Sequence, residues 1–236
     1  MIYKNQIMEN IYLKNNTLFS IGKFSEGYGY FKFFLKRHKF IKSCLDIGCG
    51  NGNLLKLMKK KSKYMGIDAN AGIYKKNRDK KIKYFNNGKQ VDGFLNKLNK
   101  KFEIVTLMDV LEHTDTFVDL FKKSLKKSSK FVMVGLPNED CLLSRFEFLI
   151  GKGIKTHGLE MVGTKHGHKH QWLIQFKKAK KILGDIAEKN NFKLKEVNYF
   201  ITLPKTFYKR IIYKFILFFT PIHLRMNNFC LIFEKK

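Results

Sequence analysis

Cys44-Leu45-Asp46-Ile47-Gly48-Cys49-Gly50-Asn51-Gly52-Asn53 runs from an apolar strand through three alternate glycines into a helix. Residues 43–47 read as a short buried strand. Gly48, Gly50 and Gly52 permit a tight turn and close backbone approach, and Asn53 is placed to cap a helix through Leu54, Leu55, Leu57 and Met58. A ligand at this loop lies directly against main chain at a helix N-terminus. The next apolar strand, Tyr64 to Ile67, ends in Asp68, and an acid at the tip of the second strand of a βαβ unit is placed to hold ribose hydroxyls. The stretch points to a nucleoside-containing cofactor.

The glycine spacing narrows the choice. A dinucleotide fingerprint is G-x-G-x-x-G, whose helix N-terminus receives a pyrophosphate. Here the pattern is G-x-G-x-G with Asp46 already at the end of the first strand. A carboxylate there suits a ligand carrying an ammonium or sulfonium and repels phosphate.

These residues resemble the first motif of class I S-adenosylmethionine-dependent methyltransferases. The likeness continues through Gly66-Ile67-Asp68, through Asp109-Val110-Leu111-Glu112-His113 after a fourth strand, and through Leu136-Pro137-Asn138 after a fifth. It covers roughly residues 40–200, and the ordered combination is specific where the glycine loop alone is not. The resemblance implies an α/β, Rossmann-like fold: a seven-stranded mixed sheet with an antiparallel last strand and helices on both faces. It implies S-adenosylmethionine as cofactor. Asp46, Gly48, Cys49, Gly50 and Gly52 would hold its amino-acid end, Asp68 and Ala69 the ribose, and Met108 and Asp109 would close the crevice from the fourth strand. Asn87 stands where many relatives carry an acid near the adenine.

The group that ends its fourth strand in this way resembles the quinone-type O-methyltransferases, whose Glu-His pair sits over the methyl group. That likeness makes His113 the first candidate for general base. It also allows a divalent metal, Mg²⁺ or Zn²⁺, on Asp109, Glu112 and His113. Oxygen is the favoured acceptor because the strand ends in Met108-Asp109-Val110-Leu111 and not in the Asn/Asp-Pro-Pro-aromatic loop of amide methyltransferases.

The bulk numbers fit one domain spanning residues 1–236: 236 residues, 44% apolar, are enough for one α/β core with additions. Lys+Arg 47 against Asp+Glu 19 gives a net charge of +28, which raises RNA methylation as an alternative. No recognition module accompanies that charge, and the crowding of Lys, Asn, Ile and Phe is what an AT-rich genome yields without selection for a polyanion. Four cysteines, Cys44, Cys49, Cys141 and Cys230, form no C-x-x-C pair, so the reading is a reduced, cytoplasmic protein.

Taken in order, residues 1–40 read as an N-terminal helical extension, with Tyr28 or Tyr30 placed to cover the ligand, and residues 41–200 as the cofactor-binding core. Strands are predicted at 43–47, 64–68, 82–85, 103–108 and 131–135, then at 192–201 and 228–234. Phe117, Leu120, Phe121 and Leu125 form the apolar stripe of a helix whose lysines face water. His157, His166, His168 and His170 fall close together without cysteines or a familiar ligand spacing. The family that the chain resembles often carries a histidine and an aromatic just before the helix that here begins near Trp172, so the resemblance implies that His168, His170 and Trp172 belong to the substrate mouth, with His168 and His170 as second candidates for the base.

Residues 204–225 form a basic and apolar insertion between the last two strands. Its apolar run is shorter than the ~20 residues of a spanning helix. Three readings stand: a peripheral contact with the inner face of a membrane, a lid over an apolar substrate, or a homodimer contact. The expected acceptor is a small molecule or a lipid- or glycan-linked group. A non-catalytic cofactor-binding or membrane-docked partner protein is the alternative from outside enzymology.

Overall fold

The computed structural model describes residues 11–14, 17–21, 26–59, 61–72, 79–153, 157 and 170–236. Nine strands form one sheet: β1 (Ile11–Lys14), β2 (Thr17–Ile21), β3 (Ser43–Ile47), β4 (Lys63–Asp68), β5 (Ile82–Tyr84), β6 (Phe102–Met108), β7 (Ser128–Pro137), β8 (Phe192–Leu203) and β9 (Asn228–Lys235). Their order is β1-β2-β8-β9-β7-β6-β3-β4-β5. The seven strands expected from the sequence are all present, contiguous and in the mixed arrangement, with β9 antiparallel to both β7 and β8.

The sheet is wider than expected by two strands. The N-terminal extension is a hairpin followed by helix α1 (Glu26–Arg37), so it is only partly helical. Ile-Tyr-Leu-Lys and Thr-Leu-Phe-Ser-Ile have weak strand signals of their own. They become strands because β2 pairs in parallel with Tyr199–Leu203 of β8, covering an edge that would otherwise be left unpaired.

Side chains alternate across the sheet with period two, and this divides the core. On one face Leu45, Val105, Val132, Val134, Leu231 and Phe233 pack beneath helices α2 (Gly88–Lys97), α3 (Phe117–Lys127) and α5 (Phe176–Glu188). On the other, Cys44, Ile104, Met133, Cys230 and Ile232 meet Tyr30, Phe31 and Phe34 of α1. Tyr30 is therefore core, edge-on to Phe200, and does not cover a ligand; Tyr28 remains half-buried nearby.

The sequence also predicts a helix through Met58 capped by Asn53, and the structure corrects it. One 3₁₀ turn, Leu54–Leu57, follows the glycine loop, and the Asn53 side chain accepts from Lys56 Nζ at 3.0 Å and caps no backbone amide. On a longer helix Lys56 would meet Lys59 and Lys60 at spacings of three and four, which crowds like charges.

The strand order reverses between β3 and β6, which run in parallel on either side of the switch. In such sheets the crevice outside the carboxyl ends at that point receives the ligand. The glycine loop leaves β3 there and Asp109–His113 leaves β6 there. Helix α4 (Leu142–Leu149) follows β7 at the same end, and α6 (Phe207–Phe219) and α7 (Ile222–Arg225) join β8 to β9 there too.

Candidate functional site

The three glycines take the backbone that their spacing suggests. Gly48, Gly50 and Gly52 have φ of 71°, 51° and 72°, the left-handed region. A Cβ on Gly48 would lie 2.3 Å from Val110 Cγ2, so the loop also needs glycine in order to pack against the segment that leaves β6.

β4 holds the loop down. Gly48 N and Cys49 N donate to Ile67 O at 2.8 and 3.2 Å, and Gly50 N donates to Asp68 Oδ2 at 2.8 Å. Asp68 Oδ1 accepts from Asn70 N at 2.9 Å, and Tyr84 donates its hydroxyl to Gly50 O at 2.9 Å. Asp68 thus shapes the loop and retains lone pairs for a second ligand. Beside it Ala69 is half-buried against the core. Cys49 lies under the loop, its Sγ 2.8 Å from where a Gly66 Cβ would stand, and burial pushes its thiol up, away from reactivity.

Asp46 is buried at 2% exposure, with Gly66 on one side and Thr106 on the other in register. Its carboxylate accepts from Tyr64 Oη at 2.5 Å and from Thr106 Oγ1 at 2.7 Å, so its first duty is to fix the strand tips beneath the loop. Burial raises its pKa to about 6, against the pull of those two hydroxyls. The folded protein therefore holds this proton more tightly than the unfolded chain does. The corresponding stability is present at acid pH and is lost as pH rises from about 4 to about 6, on the order of 3 kcal/mol in all. Asp46→Asn is expected to flatten that part of a plot of thermal midpoint against pH. Asp46→Leu, which strands both hydroxyls, is expected to lower the midpoint at every pH.

Asn87 caps α2, its Oδ1 accepting from Gln90 N at 3.0 Å, because the first turn of a helix needs an acceptor for its free amides. That bond takes one of the two lone pairs of the oxygen. Met108 packs between Gly27 of α1 and Gly135 of β7 and so fixes the floor of the crevice. Asp109 follows with φ 55°, an uncommon conformation for a residue with a side chain, and is exposed at the mouth.

Beyond Asp109 the structure gathers a cluster whose full membership is not visible in the sequence. Glu112 is 1% exposed, and its Oε2 has no hydrogen-bond partner among the described residues. Burial, then the charges of Asp109 and Glu139, raise its pKa well above the carboxylate range. His113 lies edge-on to His170, with ring centroids 4.8 Å apart. His170 Nδ1 stands 2.7 Å from Glu139 Oε1, which also lies 3.0 Å from His157 Nε2. The other Glu139 oxygen accepts from Ile174 N at 2.8 Å. Gln171 N donates to Glu112 O and Trp172 Nε1 to Thr114 O, zipping residues 170–174 onto the turn at 111–113.

His168 lies outside the described residues. Glu139 is the residue that the sequence reading misses, although it follows Leu136-Pro137-Asn138 directly at a strand's carboxyl end, where ligands collect.

Metal-binding potential is redistributed. Glu112, His113 and His170 can bring ligand atoms within 4.8 Å of one another, as can Glu139, His157 and His170, whereas Asp109 belongs to neither group. One carboxylate with two imidazoles fits a divalent ion such as Zn²⁺, and the Glu112 oxygen that has no partner among the described residues can serve as its carboxylate ligand. An apolar pocket of about 170 Å³ lies behind this cluster, lined by Leu111, Phe117, Trp172, Ile174 and Ile182 among others. It is bordered by neither the glycine loop nor Asp68, so it is distinct from the cofactor crevice.

Residues 29–196, covering the glycine loop, Asp68, the β6 cluster and His170, match the methyltransferase domain family. The chain belongs to that family. Its fold is the Rossmann-like one of class I S-adenosylmethionine-dependent methyltransferases. Over 167 residues the chain is 29% identical to a ubiquinone biosynthesis O-methyltransferase of Pelagibacter ubique (strain HTCC1062). That match spans 65% of this chain and 62% of the relative. Among solved structures, a SAM-dependent methyltransferase from Archaeoglobus fulgidus superposes with a TM-score of 0.57 at 20% identity, covering 88% of this chain and 94% of the other. Magnesium protoporphyrin IX methyltransferase from Synechocystis PCC 6803, solved with S-adenosylhomocysteine, gives 0.55 at 13% identity, covering 90% and 83%. At these identities the likeness is one of fold.

Proposed function

We propose that this methyltransferase alkylates a hydroxyl oxygen of a small or lipid-linked aromatic acceptor, with His170 as the general base. The observation that carries the reading is the Glu139 carboxylate against His170 Nδ1. A carboxylate on one ring nitrogen fixes the tautomer and leaves Nε2 free to take a proton. S-adenosylmethionine supplies a methyl group already activated by its sulfonium.

What remains for the chain is alignment, exclusion of water and disposal of one proton. Asp68 would accept ribose hydroxyls from a position that the loop's own amides stabilise. Val110, pressed against Gly48, holds the two sides of the crevice in register. Glu139 would stabilise the imidazolium after His170 removes the acceptor's proton.

The buried Glu112 oxygen favours one further reading. A divalent ion would sit on Glu112, His113 and His170 and would acidify a bound hydroxyl as a Lewis acid. The same His170 serves either use, and the O-methyltransferase relative supports oxygen as the acceptor in both.

The test begins with calorimetric titration of S-adenosylhomocysteine and, separately, NAD. Micromolar affinity for the first and none for the second is expected. Catechols bearing alkyl chains of increasing length then serve as acceptors in a methyl-transfer assay. Transfer to a ring hydroxyl, improving with chain length, supports the reading. Transfer confined to RNA would replace it with the nucleic-acid alternative, and that binding would weaken steeply with salt.

A further inference from the structure

Helix α6 presents almost no polar side chain apart from lysines and arginine. Its inner face is Arg210, Tyr213 and Leu217, of which Leu217 is buried and Tyr213 packs against the core. Its outer face recurs at helical spacing through Ile211, Phe215, Phe218 and Phe219, the last three exposed at 68%, 74% and 71%. Helix α4 adds Phe146 and Leu149, the latter 82% exposed. An apolar surface of this density is rarely left to water.

Both helices rise from the same end of the sheet. Asn138, just before α4, donates its side-chain amide to His223 O and Met226 O at 2.7 and 3.0 Å, and its backbone amide to Asn227 O. That latch ties the root of α4 to the chain that returns from α6. Tyr213 reports the same closeness: burial and then the neighbouring Cys141 thiol push its hydroxyl up. The next residue after the latch is Glu139, so the apolar surface adjoins the mouth of the site.

Charge identifies the occupant. Between Glu196 and Glu234 the chain has no acidic residue, while Lys205, Lys209, Arg210, Lys214 and Arg225 fall within the same span. Arg210 and Arg225 close the helix ends on Pro204 O, Lys205 O, Phe218 O and Thr220 O, which leaves three exposed lysines around the phenylalanines. Two copies meeting α6 against α6 would bring these lysines together with no acid on either helix, which disfavours a symmetric dimer through α6.

We propose that α4 and α6 together form a docking face for an anionic lipid bilayer, with the phenylalanines in the acyl boundary and the lysines among the headgroups. No helix among the described residues is long and apolar enough to cross a membrane. α6 has 13 residues, about 20 Å, and lies in the interface plane. Docking places the mouth at the lipid surface. That selects an acceptor partitioned into the bilayer, a clause which rests on the methyl-transfer reading, whereas the docking itself does not.

Co-sedimentation tests it with vesicles of phosphatidylcholine alone and of an equal mixture with phosphatidylglycerol. Binding to the mixed vesicles, weakened by salt, is expected. Lys205→Gln, Lys209→Gln and Lys214→Gln should each weaken it by about fivefold. Phe215→Asp with Phe218→Asp should abolish pelleting while S-adenosylhomocysteine affinity and the thermal midpoint persist, because neither ring packs in the core. Failure of the wild-type chain to pellet with either vesicle would overturn the proposal. So would a homodimer, seen by light scattering, that the same double variant dissolves. Loss of S-adenosylhomocysteine binding in the wild type would instead strike the cofactor reading and leave docking intact.

Discussion

His170→Ala is expected to lower the rate constant for methyl transfer by about 10²- to 10⁴-fold, the range for loss of a positioned general base. Affinity for S-adenosylhomocysteine should stay nearly unchanged, because His170 sits with Glu112, His113 and Glu139 and not at the glycine loop. Glu139→Gln separates orientation from chemistry. The amide preserves the shape and can still meet His170 Nδ1, but it brings no negative charge to balance an imidazolium. It should reduce kcat with KM little changed, as expected when an interaction is made only in the transition state.

His113→Ala is the discriminating control. If it matches His170→Ala and added Zn²⁺ restores neither, the two rings work as one unit. If His113→Ala alone destroys activity, the ranking drawn from the resemblance is right and the Glu139–His170 pair is structural. Direct transfer measurements with the alkylated catechols distinguish these outcomes.

The preference for His170 over His113 arises from contacts that the linear sequence does not reveal. His113 follows β6 in a familiar motif, so a resemblance finds it. Glu139 and His170 are 31 residues apart, and only the pairing of Glu139 with Ile174 through both backbone and side chain closes that gap. The glycine loop was legible for the opposite reason. Its requirement is largely local: three positive φ angles in five residues strongly favour glycine.

Strands β3, β4 and β6 were equally legible, because strands buried on both faces read as continuous apolar runs. β1 and β2 were not, because they depend on the edge of β8, just over 180 residues further along the chain. Asn53 and Asn87 show the same division: both lie next to a helix start, and only Asn87 meets an amide, since its helix continues for ten residues while the other ends after one turn.

Asp68→Ala is expected to remove S-adenosylhomocysteine binding, with a loss on the order of 10²- to 10³-fold, because two effects coincide at one carboxylate. The first is on the ligand, whose ribose hydroxyls would lose an ionised acceptor. The second is on the loop: Gly50 N at 2.8 Å and Asn70 N at 2.9 Å would both lose their acceptor, and because both bonds are only part-buried each loss costs less than the ~1–3 kcal/mol of a fully buried amide.

Asp68→Asn divides the two. An asparagine oxygen can serve one of the amides but its nitrogen cannot accept, so the loop should loosen by part of the alanine effect while the ribose loses its charged partner. Tyr84→Phe tests the loop from the other side, removing only the hydroxyl that donates to Gly50 O, and should weaken binding by no more than about tenfold.

Calorimetry and thermal denaturation of the same three variants give affinity and stability side by side. Affinity falling much further than stability in both Asp68 variants supports a carboxylate that holds the nucleoside. Equal affinity in wild type and Asp68→Ala, with a lowered melting point, would confine Asp68 to bracing the glycine loop. The ribose would then have to be held by another residue of the crevice.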